Sequence, residues 1–493
     1  ALQPLSDDQI REMAVAQGVQ NPDVLFADIM VRNAEDFARR PQDLIELCLD
    51  WNEHASVRTH LQQVEHNSRV KLAPRTDRRE KAPLTHDRAF EGASRLALAT
   101  LLTRKLTLRH SAEADKGDVL GAALDPAKIL TDWTADERAT LLERAIFGFA
   151  SYGRVRFHHR SVTEYLAAKR LDTLIGRGMS LASAKRLLFT ETAQNARVVR
   201  PTMRAVAAWL AVMQPSIFNE VCDREPELLL NAGDPASLLD GQRSAALRAY
   251  VKRYGGGGWR GLQTPSIQVH RFAASHLAPL VMELWDSGID NQEVRGLLLE
   301  LMTAIPVTAG ADAAHSVLMS GAALRGDRIE ALDLLVQLAD PRLDQITHSM
   351  EVNPALWPNG LLRDAIPRLF PNHVGVERLC RLLGRMPVQE GSLDPLHHFW
   401  KYSIPDRAIP SIYRDALREG LTELVAGGVV WRDEWPHVKS PRPQLLKSLA
   451  AICARQTKER ILSAAVMHSS AVAVRLARQE EEHRPGDEPF DNL

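Results

Sequence analysis

The absences in this sequence narrow it first. Its 493 residues hold four cysteines, Cys48, Cys222, Cys380 and Cys453. They stand far apart, at neither zinc nor redox spacing, and four in so long a chain make no disulfide framework; a reducing, cytoplasmic setting is expected. No stretch reaches about 18 uninterrupted apolar residues and no signal peptide is recognisable, so no membrane span is expected. Neither sign of charge is in excess: 61 Lys and Arg stand against 62 Asp and Glu, for a formal net charge of -1. No global field therefore draws the chain to nucleic acid or anionic membrane. No Gly-x-x-x-x-Gly-Lys-Ser/Thr occurs, and no run of four apolar residues ends in paired acids that could serve magnesium. Phosphoryl transfer needs glycines for close backbone approach and a lysine for the β- and γ-phosphates, so this chain holds no ATP-hydrolysing centre. Gly255 to Gly258 are no phosphate loop, since no strand precedes them and no Gly-Lys-Ser/Thr follows; a flexible link is expected there. No Ser-His-Asp or Cys-His arrangement has local support.

Helical periodicity fills the space these absences leave. Ser6-Asp7-Asp8-Gln9 has the form of a capping box and opens a helix over 7–17. Asp7 and Asp8 fall in its first turn, where the helix dipole favours them. A second helix is expected over 22–37 and a third over 41–51. In the third, Leu44, Leu47, Cys48 and Trp51 share one face, and Pro41 suits the first turn, where its missing donor costs nothing. Residues 66–83 carry Arg69, Lys71, Arg75, Arg78, Arg79 and Lys81. They read as a solvated loop or helix end, with a patch for phosphates or an acidic partner as the sharper alternative. No aromatic residues interleave them, which argues against a single-strand nucleic-acid platform.

From 116 to 175 the pattern changes. Asp125-Pro126 opens one helix and Thr131-Asp132-Trp133-Thr134 caps the next, whose apolar stripe is Leu141, Leu142, Ala145, Ile146 and Phe149. After a turn at Ser151-Tyr152-Gly153, residues 154–159 alternate with period two, as a strand does. Ser161-Val162-Thr163-Glu164 has the form of another capping box, leading into a helix through Leu171. Helix, helix, strand, helix is the outline of a winged helix. Helix then follows helix from 179 to 475, with spans expected at 200–213, 241–254, 265–285, 291–304 and 329–338. Starts recur irregularly every 25–45 residues, which suits a HEAT-like α-solenoid; a compact helical domain is the alternative. The fold class expected is mainly α: a helical lid over 1–115, a small winged-helix domain with a short β-hairpin over 116–178, an α-solenoid over 179–475, and an acidic disordered tail over 476–493.

The run from Leu124 to Leu171 resembles the winged helix that closes NACHT modules in bacterial STAND NTPases. The residues carrying the resemblance are Trp133, Glu137-Arg138, Leu141-Leu142, Phe147, Tyr152-Gly153 and above all Arg156-Phe157-His158-His159-Arg160-Ser161-Val162-Thr163-Glu164-Tyr165-Leu166-Ala167-Ala168. Upstream, Leu2-Gln3-Pro4-Leu5-Ser6 is similar to the link leaving the NTPase core, and Ala38-Arg39-Arg40-Pro41-Gln42-Asp43-Leu44 to the lid helix. Downstream, Ala207-Ala208-Trp209-Leu210 and Glu225-Pro226-Glu227-Leu228-Leu229-Leu230 resemble the attached helical sensor arrays. The missing phosphate loop departs from the family; since the chain starts at Ala1 rather than Met, the resemblance places the NTPase core upstream on the same polypeptide. It further implies that His159 reaches the β-phosphate of ADP and that Pro41 lies near the adenine. ADP or ATP and magnesium are expected only with that core, and no cofactor within this chain.

Read from the residues alone, His159 is a core-facing histidine on the strand face shared with Val155 and Phe157. Ser161 and Glu164 are explained by capping. His397-His398, with Phe399-Trp400, lack an acidic or cysteine partner at helical spacing and suggest no metal site. Two functions remain. One is the regulatory and ligand-sensing part of a signal-transducing NTPase, expected in bacterial anti-phage defence, with a protein trigger of phage origin on the solenoid at about 265–475 and homo-oligomerisation on activation. The other is an α-solenoid interaction scaffold without nucleotide dependence. DNA binding through the winged helix is weaker, because its last helix offers only Lys169 and Arg170 beside Glu164 and Asp172.

Overall fold

The computed structural model describes residues 4–479 apart from 32–33, 75–78, 112–122, 151–152, 263, 388–395, 397–398, 401–403, 405–410, 433–434 and 437–438. The His397-His398 pair, the turn residues Ser151 and Tyr152 and most of the acidic tail thus lie outside the described residues. The fold is mainly α, with short strands only. Among the described residues, no helix is long and apolar enough to cross a membrane. The chain divides into two compact units, Ala1–Ile305 and Pro306–Leu493.

The first unit begins with a small helical cluster: α1 (Asp7–Ala16), α2 (Pro22–Val31), α3 (Glu35–Ala38) and α4 (Pro41–His54). The Ser6–Gln9 capping box forms as the sequence requires. The single helix expected over 22–37 is instead two. The Ala34 amide bonds back to the Ile29 carbonyl, five residues earlier, which ends α2 before α3 begins. Leu44, Leu47 and Cys48 are buried, with Trp51 packed beside them, in a core drawn entirely from residues between Ile10 and Val57. This lid has a hydrophobic core of its own.

After α5 (His60–Lys71), α6 (His86–Thr103) leads into the winged-helix region. Its sheet has the order β2-β1-β4-β3, built from β1 (Thr107–Arg109), β2 (Ala123–Leu124), β3 (Phe147–Phe149) and β4 (Arg154–Phe157). β3 and β4 form the antiparallel wing, pairing Phe147 with Phe157. α7 (Pro126–Ile129) and α8 (Ala135–Leu142) start at the caps Asp125 and Thr134. α9 (Arg160–Gly176) lies along α6, so the module draws on residues well before the expected start at 116. The reason is steric fit. A Cβ on Gly92 of α6 would stand 2.5 Å from the Trp133 indole and 2.7 Å from Leu141, so only glycine lets α6 approach that closely.

Beyond α10 (Leu181–Leu188) and the hairpin of β5 (Phe189–Glu191) and β6 (Arg197–Val199) come α11 (Arg204–Met213), α12 (Pro215–Arg224), α13 (Leu228–Asn231), α14 (Asp240–Tyr254), α15 (Ser266–Phe272), α16 (Ala278–Asp286) and α17 (Gln292–Ala304). Two rows result: α11, α13, α15 and α17 pack in succession, and so do α12, α14 and α16. Packing each helix on the next but one is how stacked pairs bury a continuous core. The span expected as one helix over 265–285 is α15 and α16, because Pro279 lacks the donor a continuing helix needs and instead starts α16. Gly255 to Gly258 are tied down: the Asn291 backbone amide donates to the Gly255 carbonyl and its side chain to that of Gly258, at 3.0 and 2.9 Å.

In the second unit α18 (Ala311–Leu318), α19 (Arg325–Gln337), α20 (Leu343–Val352), α21 (Asn359–Leu369) and α22 (Val376–Arg385) repeat the pattern, with α19 on α21 and α20 on α22. α23 (Ser411–Ala426), a two-residue hairpin of β7 (Trp431–Arg432) and β8 (Trp435–Pro436), α24 (Leu446–Lys458) and α25 (Ala464–Gln479) complete it.

Candidate functional site

The strand expected over 154–159 ends at Phe157, and α9 starts at once. His159 is therefore the N-cap residue of α9, in extended conformation, and its side chain makes no capping bond. The capping box read at Ser161–Glu164 does not form. Ser161 already lies in the first turn, and Glu164 accepts from Arg160 Nε at 2.7 Å, one helical turn away. The strand stops two residues early because Phe157 seats its ring on Phe147, centroids 4.6 Å apart, and the helix can begin as soon as that pairing ends.

Freed from the strand, His159 turns toward the lid. Arg40 Nη1 lies 3.2 Å from His159 Nδ1, and His159 Nε2 lies 3.3 Å from Asp43 Oδ1. Arginine can only donate, so Nδ1 must accept and the ring proton sits on Nε2, facing the carboxylate. Burial is the main cause holding the imidazole below its usual pKa, opposed by Asp43 and helped by Lys71, Arg40 and His158. The neutral ring with a proton on Nε2 is thus the form present at neutral pH.

Arg40 and Asp43 flank Pro41, which occupies the first turn of α4 as expected. The two residues singled out by the resemblance, His159 and Pro41, are brought to one place from segments 119 residues apart, as the Arg40–His159 contact records. Asp43 is 1% exposed and meets polar groups on three sides, two of them cations. Beside His159 stand Lys71 Nζ at 3.7 Å and, at 4.0 Å, Arg40. Lys71 also reaches Glu46 at 3.3 Å. Lys71 is nearly buried, so it leaves the solvated basic stretch in which the sequence reading grouped it. A buried carboxylate is tolerable only when paired in this way. Asp43, Arg40 and Lys71 were missed as site residues; the signal for two of them was their position on either side of Pro41, and for Lys71 there was none.

A second polar contact lies further along α9. Tyr165 Oη donates to Glu65 of α5 at 2.6 Å, and Lys169 stands 3.9 Å from the same carboxylate. The link from α5 to α6 is clamped by Arg144, fully buried, which donates to the Leu72 and Leu84 carbonyls at 2.9 Å each and to Glu80 at 3.0 Å.

The chain matches no family model, no curated protein and no solved structure. Function must be argued from the site.

The site offers donors and cations, not a nucleophile. Among the described residues no group of three or more metal-ligating side chains exists. Burial pushes the thiols of Cys48 and Cys380 up to about 11 and that of Cys222 to about 12, so these thiols stay protonated and poorly nucleophilic. What the cluster can do is join the lid to the winged helix, or hand His159, Arg40 and Lys71 to an anion.

Proposed function

We propose that this chain is the regulatory and ligand-sensing part of a signal-transducing NTPase of the NACHT type, serving bacterial defence. In this reading an NTPase core of the same polypeptide supplies the ATP chemistry with magnesium, and ADP bound against His159 and Pro41 holds the closed state. A protein trigger, phage-derived, binds the helical stacks and permits opening or homo-oligomerisation. The observation that carries the reading is the meeting of His159 with the Arg40-Pro41-Asp43 turn. A histidine serving only the core has no need to face a buried carboxylate, an arginine and a lysine at the mouth of another domain. DNA binding finds no support, because α9 buries Val162, Tyr165, Leu166, Ala168 and Leu171, and Lys169 and Arg170 are engaged with Glu65 and Glu91.

The test is made on the complete polypeptide as its native source produces it. Mass spectrometry of that polypeptide should find a phosphate loop upstream of these residues; a chain without one leaves the interaction scaffold as the function. His159→Ala should then raise basal activity and loosen ADP by roughly ten- to hundredfold, the worth of one charge-assisted hydrogen bond. Phe157→Ala should cost stability without activation. A silent, destabilised His159→Ala protein would make the histidine structural. The chain by itself should show no ATP turnover.

A further inference from the structure

A cleft of about 360 Å³ opens in the first unit beside the histidine seam, without either His159 or Pro41 in its lining. Three arginines from three separate elements line it: Arg40 ahead of α4, Arg160 at the start of α9 and Arg271 near the end of α15. Arg271 is 7% exposed, a cation held deep in the wall. One carboxylate, Glu164, stands against the three, already bound to Arg160. Ser161 in the first turn of α9 also faces the cleft. The helix's first backbone bond runs from the Thr163 amide to the His159 carbonyl, so the Ser161 amide has no partner within the helix. An anion here meets both the guanidinium groups and the positive end of a 17-residue helix.

The α15 wall, which carries Arg271, also holds an acceptor. Gln268 lines the cleft, and its Oε1, turned into the protein, is buried with no hydrogen-bond partner among the described residues. A buried carbonyl oxygen left so is costly, and a turn of the side chain into the cleft would let a ligand hydroxyl or amino group satisfy it. The Trp209 ring forms part of the wall, and Gly233, at φ +67°, brings the chain after α13 so close that a Cβ would lie 3.2 Å from the Ala208 and Trp209 backbone.

We infer that this cleft binds a small phosphate ester, its phosphoryl group held by Arg160, Arg271, Arg40 and the α9 N-terminus and its hydroxyl or amino donors turned to Gln268. A phosphoryl group has three oxygens for three guanidinium forks, where a carboxylate has two. The size fits a nucleoside monophosphate or a pentose phosphate, well within the range of small-molecule pockets. The cleft shares Arg40 with the histidine seam, but His159 itself does not line it.

Isothermal titration of the 493-residue chain tests this with adenosine 5′-monophosphate, ribose 5-phosphate, inorganic phosphate and adenosine. At least one ester should bind, with adenosine and inorganic phosphate each weaker by about tenfold or more. Arg160→Gln, at an exposed side chain, and Gln268→Glu should each weaken the ester about tenfold or more while melting with the parent protein. Esters that do not bind at millimolar concentration, adenosine or inorganic phosphate as tight as the esters, or an affinity indifferent to Arg160→Gln and Gln268→Glu would overturn the inference. Binding lost in His159→Ala but kept in Gln268→Glu would also overturn it, assigning the ligand to the histidine seam and leaving the proposed switch intact.

Discussion

The lid meets the winged helix in a different manner from that in which the stacked helices meet one another. In the rows from α11 to α17 the buried surface is mostly apolar: α11 hides Val206 through Ala211, and α17 hides Val294, Leu297, Leu298, Leu299, Leu301 and Met302. Parting such helices exposes hydrocarbon at about 25 cal/mol per Å², and nothing in water compensates for it. At the lid, the apolar side chains of α4 are spent within the cluster between Ile10 and Val57. The contacts it sends across to α9 and α5 are polar: Lys71 and the neutral His159 on Asp43, and Arg40 on His159. Water can replace ionic partners at modest cost, so an interface of this kind separates without unfolding either side. The switch proposed above would need that property, and the proposed sensor array, which must stay assembled, the other.

One side chain breaks the contrast. Arg144 is charged, yet it has the permanence of the apolar rows, because it is fully buried and its bonds to two carbonyls and Glu80 fix the link between α5 and α6. Arg144→Met should be the most damaging single change near the seam. It leaves buried acceptors and a carboxylate without their cation, a loss of about 3–5 kcal/mol in denaturant unfolding. A loss below about 1 kcal/mol would mean that water reaches the clamp and that the link is not anchored there.

Gly92→Ala asks the same question of the apolar side. The added Cβ must push Trp133 or Leu141 from its place against α6. Overpacking of this kind costs about 1–3 kcal/mol. Near-neutral behaviour would show that α6 and the winged helix have slack between them, contrary to the contact geometry.

These expectations also mark how far the sequence could be read. The lid core, the caps at Ser6, Asp125 and Thr134 and the wing at Arg154–Phe157 were legible, because each rests on neighbours a few residues apart. The partition of 22–37 and of 265–285 into two helices each was not, although Pro279 was the visible clue to the second. The false capping box at Ser161 arose because the pattern was right and the strand end was placed two residues late. Of the site, the sequence yielded His159 and Pro41 by resemblance. The lysine that completes the cluster comes from another helix, and pairings set by tertiary packing have no local signature.

The ionic seam itself is broken by Asp43→Ala. Lys71 keeps Glu46 as a partner at 3.3 Å, and His159 loses the carboxylate that faces its Nε2. The expected loss of global stability is about 1–2 kcal/mol, less than for the buried clamp. The sharper effect should be local. Hydrogen exchange in α4 and at the start of α9 should accelerate about tenfold or more, while α17 is unchanged. Uniform acceleration across the first unit would mean that the lid and the rows unfold together and that the seam is not a separable joint.

The smallest effect expected is that of acid on the same seam. His159 is held below its ordinary value of 6.5, chiefly by burial, with Lys71, Arg40 and His158 adding to the effect and Asp43 opposing it. Its unfolded form therefore takes up a proton as pH falls through about 6.5, while the folded form does not until its lower value is reached. Protons bound by the unfolded state alone favour unfolding. Stability should thus fall with acidification across that window by at most about 1.4 kcal/mol per pH unit for this one histidine, and be steady in this respect above it. His66 and His158 are also held low by burial and act in the same direction, so the comparison must be between the parent and His159→Gln. The variant should lose part of the slope between about pH 6.5 and 5 and none above 7. If its slope equals that of the parent, His159 exchanges protons as freely folded as unfolded. The ring would then be solvated in the folded protein rather than buried against Asp43, and the seam would owe its closure to Lys71 alone.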